Sequence, residues 1–86
     1  MTNNSFIEKA KTAIIRYYRD ISFANLTMDD VFVVWSCKTL QNYKAILATN
    51  AHDQRIFEVT YNGDKHEGYL DAYVKEENRI AWRDDE

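Results

Sequence analysis

The sequence predicts an α+β protein: a helix, a three-stranded antiparallel meander and a second helix, with both helices on one face of the sheet. Three observations predict it. Apolar residues recur at helical steps from Ile7 to Ile21. Between Val31 and Gly63, β-branched and aromatic runs alternate with short polar turns. After Gly63 the helical spacing returns. Helices that flank an antiparallel sheet in sequence pack together on one of its faces and leave the other more open.

The first helix spans residues 4–21. Ser5 with Glu8 three residues on is a capping-box spacing, and Ile7, Ala10, Ile14, Tyr17, Tyr18 and Ile21 share one face. Lys9, Lys11, Arg16 and Arg19 fall off that stripe and give the helix a mildly basic outer side. In the link to the sheet, Phe23 and Leu26 are expected at the core edge. Thr27 with Asp30 resembles a cap for a single helical turn. Asp29 and Asp30 form an isolated carboxylate pair with no third oxygen ligand nearby, so they read as solvated and not as a metal site.

The first strand, residues 31–37, is β-branched and aromatic almost throughout, which predicts the central strand of the sheet. Residues 38–42 turn the chain. In residues 43–49, Tyr43, Ala45 and Leu47 face one way and Lys44, Ile46 and Ala48 the other. Residues 50–54 make a second polar turn. Residues 55–61 alternate Phe57, Val59 and Tyr61 against Glu58 and Thr60, as a half-exposed strand does. Over residues 64–81, Asp64 and Glu67 repeat the capping-box spacing, and Leu70, Tyr73, Val74, Glu77, Ile80 and Ala81 follow helical steps. Gly68 opposes a helix by about 1 kcal/mol. A fourth strand from His66 to Lys75, giving a helix followed by a four-stranded meander, is the alternative.

Composition excludes more functions than it assigns. The 86 residues make one domain, 1–86, with fraying expected at about 1–4 and 83–86. Two tryptophans, six tyrosines and four phenylalanines are enough to build a core, and no proline and two glycines argue against disorder. The net charge of −3 disfavours a nucleic-acid binder. The start of the chain does not resemble a signal peptide, and no apolar run approaches the roughly 20 residues of a membrane span, so no membrane partner is expected. The single cysteine, Cys37, forms no internal disulfide and brings too few soft ligands for structural zinc.

The strings WSCKTLQN and TYNGDK sit within VFVVWSCKTLQNYKAIL and FEVTYNGDKHEGYLDAYVKEEN. Over residues 30–78 these runs resemble a family of small proteins encoded by phages and prophages of Gram-positive bacteria such as staphylococci, streptococci and lactobacilli. The resemblance implies a phage gene product acting in the host bacterial cytoplasm. It carries over no activity and no functional residues.

No constellation carries catalytic, cofactor or metal chemistry. Cys37 would need a base, but adjacent Lys38 points to the opposite strand face, and the spacing brings neither His52 nor His66 to it. A free cysteine of this kind reads as a buried small hydrophobe. Asn62-Gly63-Asp64 reads as a glycine turn with a helix cap, since the aspartate competes with any anion for the N–H groups. Helix, three strands, helix is also the order of double-stranded RNA-binding domains, but GDKHEGYLDAY lacks their lysine-rich start to the second helix.

Two aromatic pairs remain, Trp35 with Tyr43 in the sheet and Tyr17 with Tyr18 in the helix. Such residues most often build the core. On the open face, Glu58, Thr60, Lys44 and Lys38 are the polar candidates, and large aromatics placed there would make it a partner-binding or dimerisation surface. The candidate partner-binding residues are Trp35, Tyr43, Lys38 and Lys44. The expected function is a phage accessory protein that binds a host or phage protein, itself able to form a homodimer, with no enzyme activity and no cofactor. A nucleic-acid module using the basic side of the first helix with sheet aromatics is the alternative, and an enzyme using Cys37 is the third reading.

Overall fold

Four antiparallel strands in the order β1-β2-β3-β4 form one sheet, and a single long helix packs across one of its faces. The structure, a computed structural model, describes residues 1–22 and 24–84. The elements are α1 (Asn3–Ser22), a one-turn 3₁₀ helix (Met28–Asp30), β1 (Val31–Thr39), β2 (Asn42–Thr49), β3 (Ile56–Asn62) and β4 (Glu67–Tyr73). Residues 74–83 follow with no regular secondary structure. The expectations for Phe23 and for the last two acidic residues lie outside the described residues.

The helix begins two residues before the expected start, and Ser5 is not its cap. The Thr2 hydroxyl accepts from the Ser5 N–H at 3.1 Å, while the Ser5 hydroxyl accepts from the Thr2 N–H at 2.9 Å. Two otherwise free backbone donors are thereby satisfied reciprocally. Phe6, Ala10, Ile14 and Tyr18 form the buried stripe, with Ile7, Ile15 and Tyr17 packed beside it. Ile21 lies one turn beyond the sheet and is exposed.

This stripe meets Val31, Tyr43, Ala45, Leu47, Phe57 and Val59 to complete the core. Phe6 stacks on Tyr43 with ring centroids 5.1 Å apart, and Tyr18 meets Phe57 edge-on at 5.6 Å. The Tyr18 hydroxyl donates to Asp53 at 2.7 Å, fixing the helix's far end to the β2–β3 loop. Leu26 packs against the core as expected. The Thr27 spacing also does its predicted work, since the Asp30 carboxylate reaches back to the Thr27 N–H at 2.8 Å and closes the single turn.

Two expectations fail. The helix over 64–81 is absent: Glu67–Tyr73 is strand β4, paired along its length with β3, and the four-stranded alternative holds. Pairing gives β3 a second hydrogen-bonded neighbour and half-buries Leu70 against the core, which outweighs the helical propensity of the residues that follow. The Asp64 spacing serves a turn. The Asn62 side-chain oxygen accepts from the N–H groups of Asp64 and Lys65, as an Asx turn does. The strand predicted to be central, β1, lies at the sheet's edge, and its apolar residues are largely exposed.

Candidate functional site

Residues paired across an antiparallel sheet share a face, so the burial of Tyr43, Ala45 and Leu47 under α1 assigns every strand position. The uncovered face carries Lys44, Ile46 and Ala48 of β2 and Ile56, Glu58 and Thr60 of β3. Tyr69, Asp71 and Tyr73 complete it from β4.

β1 joins this face through an irregularity. Val33 pairs with Leu47 and Trp35 with Ile46, so Val34 is an extra residue that β2 does not match. A bulge of this kind resets the alternation, because a slip of one residue exchanges the two faces. Phe32 precedes the bulge and pairs with Ala48, while Trp35 follows it and pairs with Ile46; both therefore stand on the open face. Phe32 is 47% exposed, Trp35 48% and Val34 58%.

Two rows result. Phe32, Ala48, Ile56 and Tyr73 cross the sheet at the end where β1 begins, and Trp35 and Ile46 stand next to them. This apolar band gives way to Glu58 and Asp71, and Lys44 lies 3.7 Å from Glu58. An ion pair so exposed contributes at most about 1 kcal/mol. It makes the centre of the face polar and leaves the end beside Phe32 and Trp35 apolar.

The expected partner-binding set therefore divides. Trp35 and Lys44 lie on the open face. Tyr43 does not: it is buried beneath Phe6, and its hydroxyl donates to the Met1 carbonyl at 2.8 Å. Lys38 pairs with Tyr43 and places its ammonium 5.7 Å from that ring's centre, on the helix side. Of the polar candidates, Glu58, Thr60 and Lys44 are on the open face and Lys38 is not. Phe32, Ile56 and Tyr73 were missed. The first two could have been found by extending the period-2 pattern across the bulge; Tyr73 was hidden by the helical reading of its segment.

Cys37 is exposed on the open face beside Lys44, not buried as expected. His52 lies in the β2–β3 loop, and the ring of His66 is 3.3 Å from the Tyr61 hydroxyl. Neither histidine joins Cys37 in a catalytic arrangement. No group of three or more potential metal ligands occurs among the described residues, and no helix among them is long and apolar enough to cross a membrane.

A second concavity of about 410 Å³ lies between α1 and β4. Phe6, Ala10, Val59 and Leu70 line it, with Lys9 and His66 at its rim. Its few polar groups do not converge on a point where a small molecule would be oriented.

The exposed cations of α1, Lys9, Arg16 and Arg19, lie on the helix that covers one face of the sheet, whereas Trp35 stands on the other face. Tyr17 and Tyr18 both pack against Phe57. The parts expected of a nucleic-acid surface are thus on opposite sides of the molecule.

A model of the family described as "Family of unknown function (DUF6275)" matches residues 7–82. No curated protein and no solved structure matches the chain. The match runs from the first turn of α1 to Trp82 and so includes both the open face and most of the segment beyond β4.

Proposed function

The chain belongs to the DUF6275 family, whose description assigns no activity, and from its surfaces we propose that it is a small protein-binding module. Its binding surface is the uncovered sheet face, centred on Phe32, Trp35, Ile56 and Tyr73. The observation that carries this reading is the contiguous apolar band beside the β1 bulge, where large side chains stand in water with no element of the chain above them. Exposed apolar patches rimmed by polar groups are the usual mark of an interaction site, and aromatic anchors supply most of its energy. The resemblance to phage and prophage proteins supports a setting in the host bacterial cytoplasm, with a host or phage protein as the partner.

Capture from lysate with and without nuclease tests the reading. The wild-type chain is compared with a Phe32→Ala/Trp35→Ala double variant. A protein partner retained through nuclease treatment and lost with the double variant is the expected result. Partners released by nuclease would overturn it in favour of nucleic acid, and equal capture by both chains would move the surface elsewhere.

A further inference from the structure

We infer that residues 74–82 of one copy add as a fifth strand to the β1 edge of a second copy, in a reciprocal exchange that closes a two-fold homodimer. The inference rests on the reading of the chain as a protein-binding module and names the partner of its apolar edge.

The two edges of the sheet differ. β4 carries Glu67, Gly68 and Asp71, residues that discourage pairing with another chain. β1 carries one charge, Lys38, near its end, and presents Phe32, Val33, Val34 and Trp35 along a nine-residue edge with no neighbour. Its one protective device is the bulge at Val34. Long apolar edges of this kind are templates for strand addition.

The segment beyond β4 is the complementary orphan. Every residue from 74 to 84 is exposed, and among the described residues its backbone makes no hydrogen bond outside the regular elements. Ile80 and Trp82 alternate with Arg79, Ala81 and Arg83, which is the two-residue period of a strand with one apolar face. Trp82 is 76% exposed. The segment also leaves the body of the molecule. The longest dimension is 49 Å, whereas a 20-residue helix is only about 30 Å long. The radius of gyration is 15.1 Å, against about 12 Å for a compact chain of this length.

Surface area points the same way. The chain exposes 6543 Å². A compact monomer of 10.2 kDa exposes about 5,300 Å². The excess, about 1,200 Å² per copy, is about 2,400 Å² for a pair, within the range of stable dimers.

Geometry selects a second copy over the same one. To reach the outer side of its own β1, the segment would cross four strand spacings, about 19 Å. That distance consumes about six residues at roughly 3.3 Å each and leaves about three to pair. A second copy can use all nine. Strand direction alternates along the meander, so residues 74–82 leave the sheet at the end where β1 begins. A two-fold axis normal to the sheet at that end sets each segment alongside the other copy's β1, running parallel to it. Both open faces then lie on one side, and the assembly is closed.

Light scattering and sedimentation of the full chain test the exchange. The wild type is expected as a dimer at micromolar concentration. Ile80→Asp/Trp82→Asp and Val34→Lys, all at exposed positions, are each expected to dissociate at least tenfold more readily while keeping the wild-type circular dichroism. An equimolar mixture of the two variants is expected to recover a heterodimer, because it contains one intact segment and one intact edge. A wild-type monomer, or a dimer indifferent to Ile80→Asp/Trp82→Asp, would overturn the exchange. If such a monomer still captured another protein through Phe32 and Trp35, the exchange alone would fail. A segment-dependent dimer that captured nothing would instead set aside the proposal of a host or phage partner and leave the exchange standing.

Discussion

At the scale of the residue, three side chains make the loops carry specific conformations. Leu40 opens the two-residue turn between β1 and β2 with φ of 56°. That left-handed conformation costs a residue with a Cβ about 1–2 kcal/mol, and the exposed Leu40 side chain recovers little by packing. Leu40→Gly is expected to raise stability by roughly 0.5–1 kcal/mol in urea denaturation, since glycine's greater unfolded-state entropy offsets part of the relief. Gly63 is required for a different reason. A Cβ there would lie 2.2 Å from the Gln41 carbonyl oxygen, so the β3–β4 turn could not stay against the β1–β2 turn. Gly63→Ala is expected to lower stability by about 2 kcal/mol or more, a size typical of enforced overlap. A change below about 0.5 kcal/mol would show that the two turns do not touch.

Asp30 sets the acid limb of stability. The Thr27 N–H, then the Thr27 hydroxyl and the Asn50 amide, hold its carboxyl below the usual aspartate range. A carboxylate with a depressed value contributes stability that is complete above about pH 4 and is lost as pH falls through the lower folded value. Asp30→Asn is therefore expected to flatten the fall in melting temperature below about pH 4 and to lower stability at neutral pH. A wild-type acid limb unchanged in the variant would show that the clamp contributes nothing.

At the scale of the element, what could be read from the sequence depended on whether one element's own pattern decided its place. The α1 stripe was legible because burial against a flat sheet follows the 3.6-residue period. Even so, Phe6 went unread and Ile21 was taken as core. The stripe says which side is apolar, not where the sheet ends beneath it. Ile14 and Ile21 make the difference measurable. Ile14→Ala, at the centre of the contact, is expected to cost about 2–4 kcal/mol. Ile21→Ala, beyond the contact, is expected to change stability by less than about 0.5 kcal/mol. Comparable losses at both positions would mean that the helix end is covered.

The sheet's two errors have one cause. β1 was read as central because VFVVW is apolar on both faces, and such a run describes a buried strand and an apolar edge equally well. β4 was read as helix because Lys75, Glu76, Glu77 and Asn78, which favour helix, lie just beyond a strand whose own alternation is modest. Pairing is a property of two segments, and a single segment's propensity does not contain it. The placement of Trp35 depended on the Val34 bulge, which no local pattern announces. Without that extra residue the indole would face the helix, and the open face would lose its largest anchor.

At the scale of the whole molecule, aromatic residues are divided by role. Phenylalanine and tyrosine build the core, through Phe6, Tyr18, Tyr43 and Phe57. The two tryptophans, Trp35 and Trp82, stand on the surfaces that the chain itself leaves uncovered. Indole emission should therefore report association and hardly report folding. At dilutions where the chain is monomeric, urea unfolding is expected to change the emission wavelength little, while the far-ultraviolet circular dichroism loses its full amplitude. Raising the protein concentration is expected to move the emission to the blue as partner surfaces cover the rings. Trp35→Phe and Trp82→Phe separate the two contributions: a shift retained in both variants assigns coverage to the open face and to the final segment together. A large red shift on unfolding the dilute monomer would contradict the division, because it would require at least one indole to be packed within its own chain.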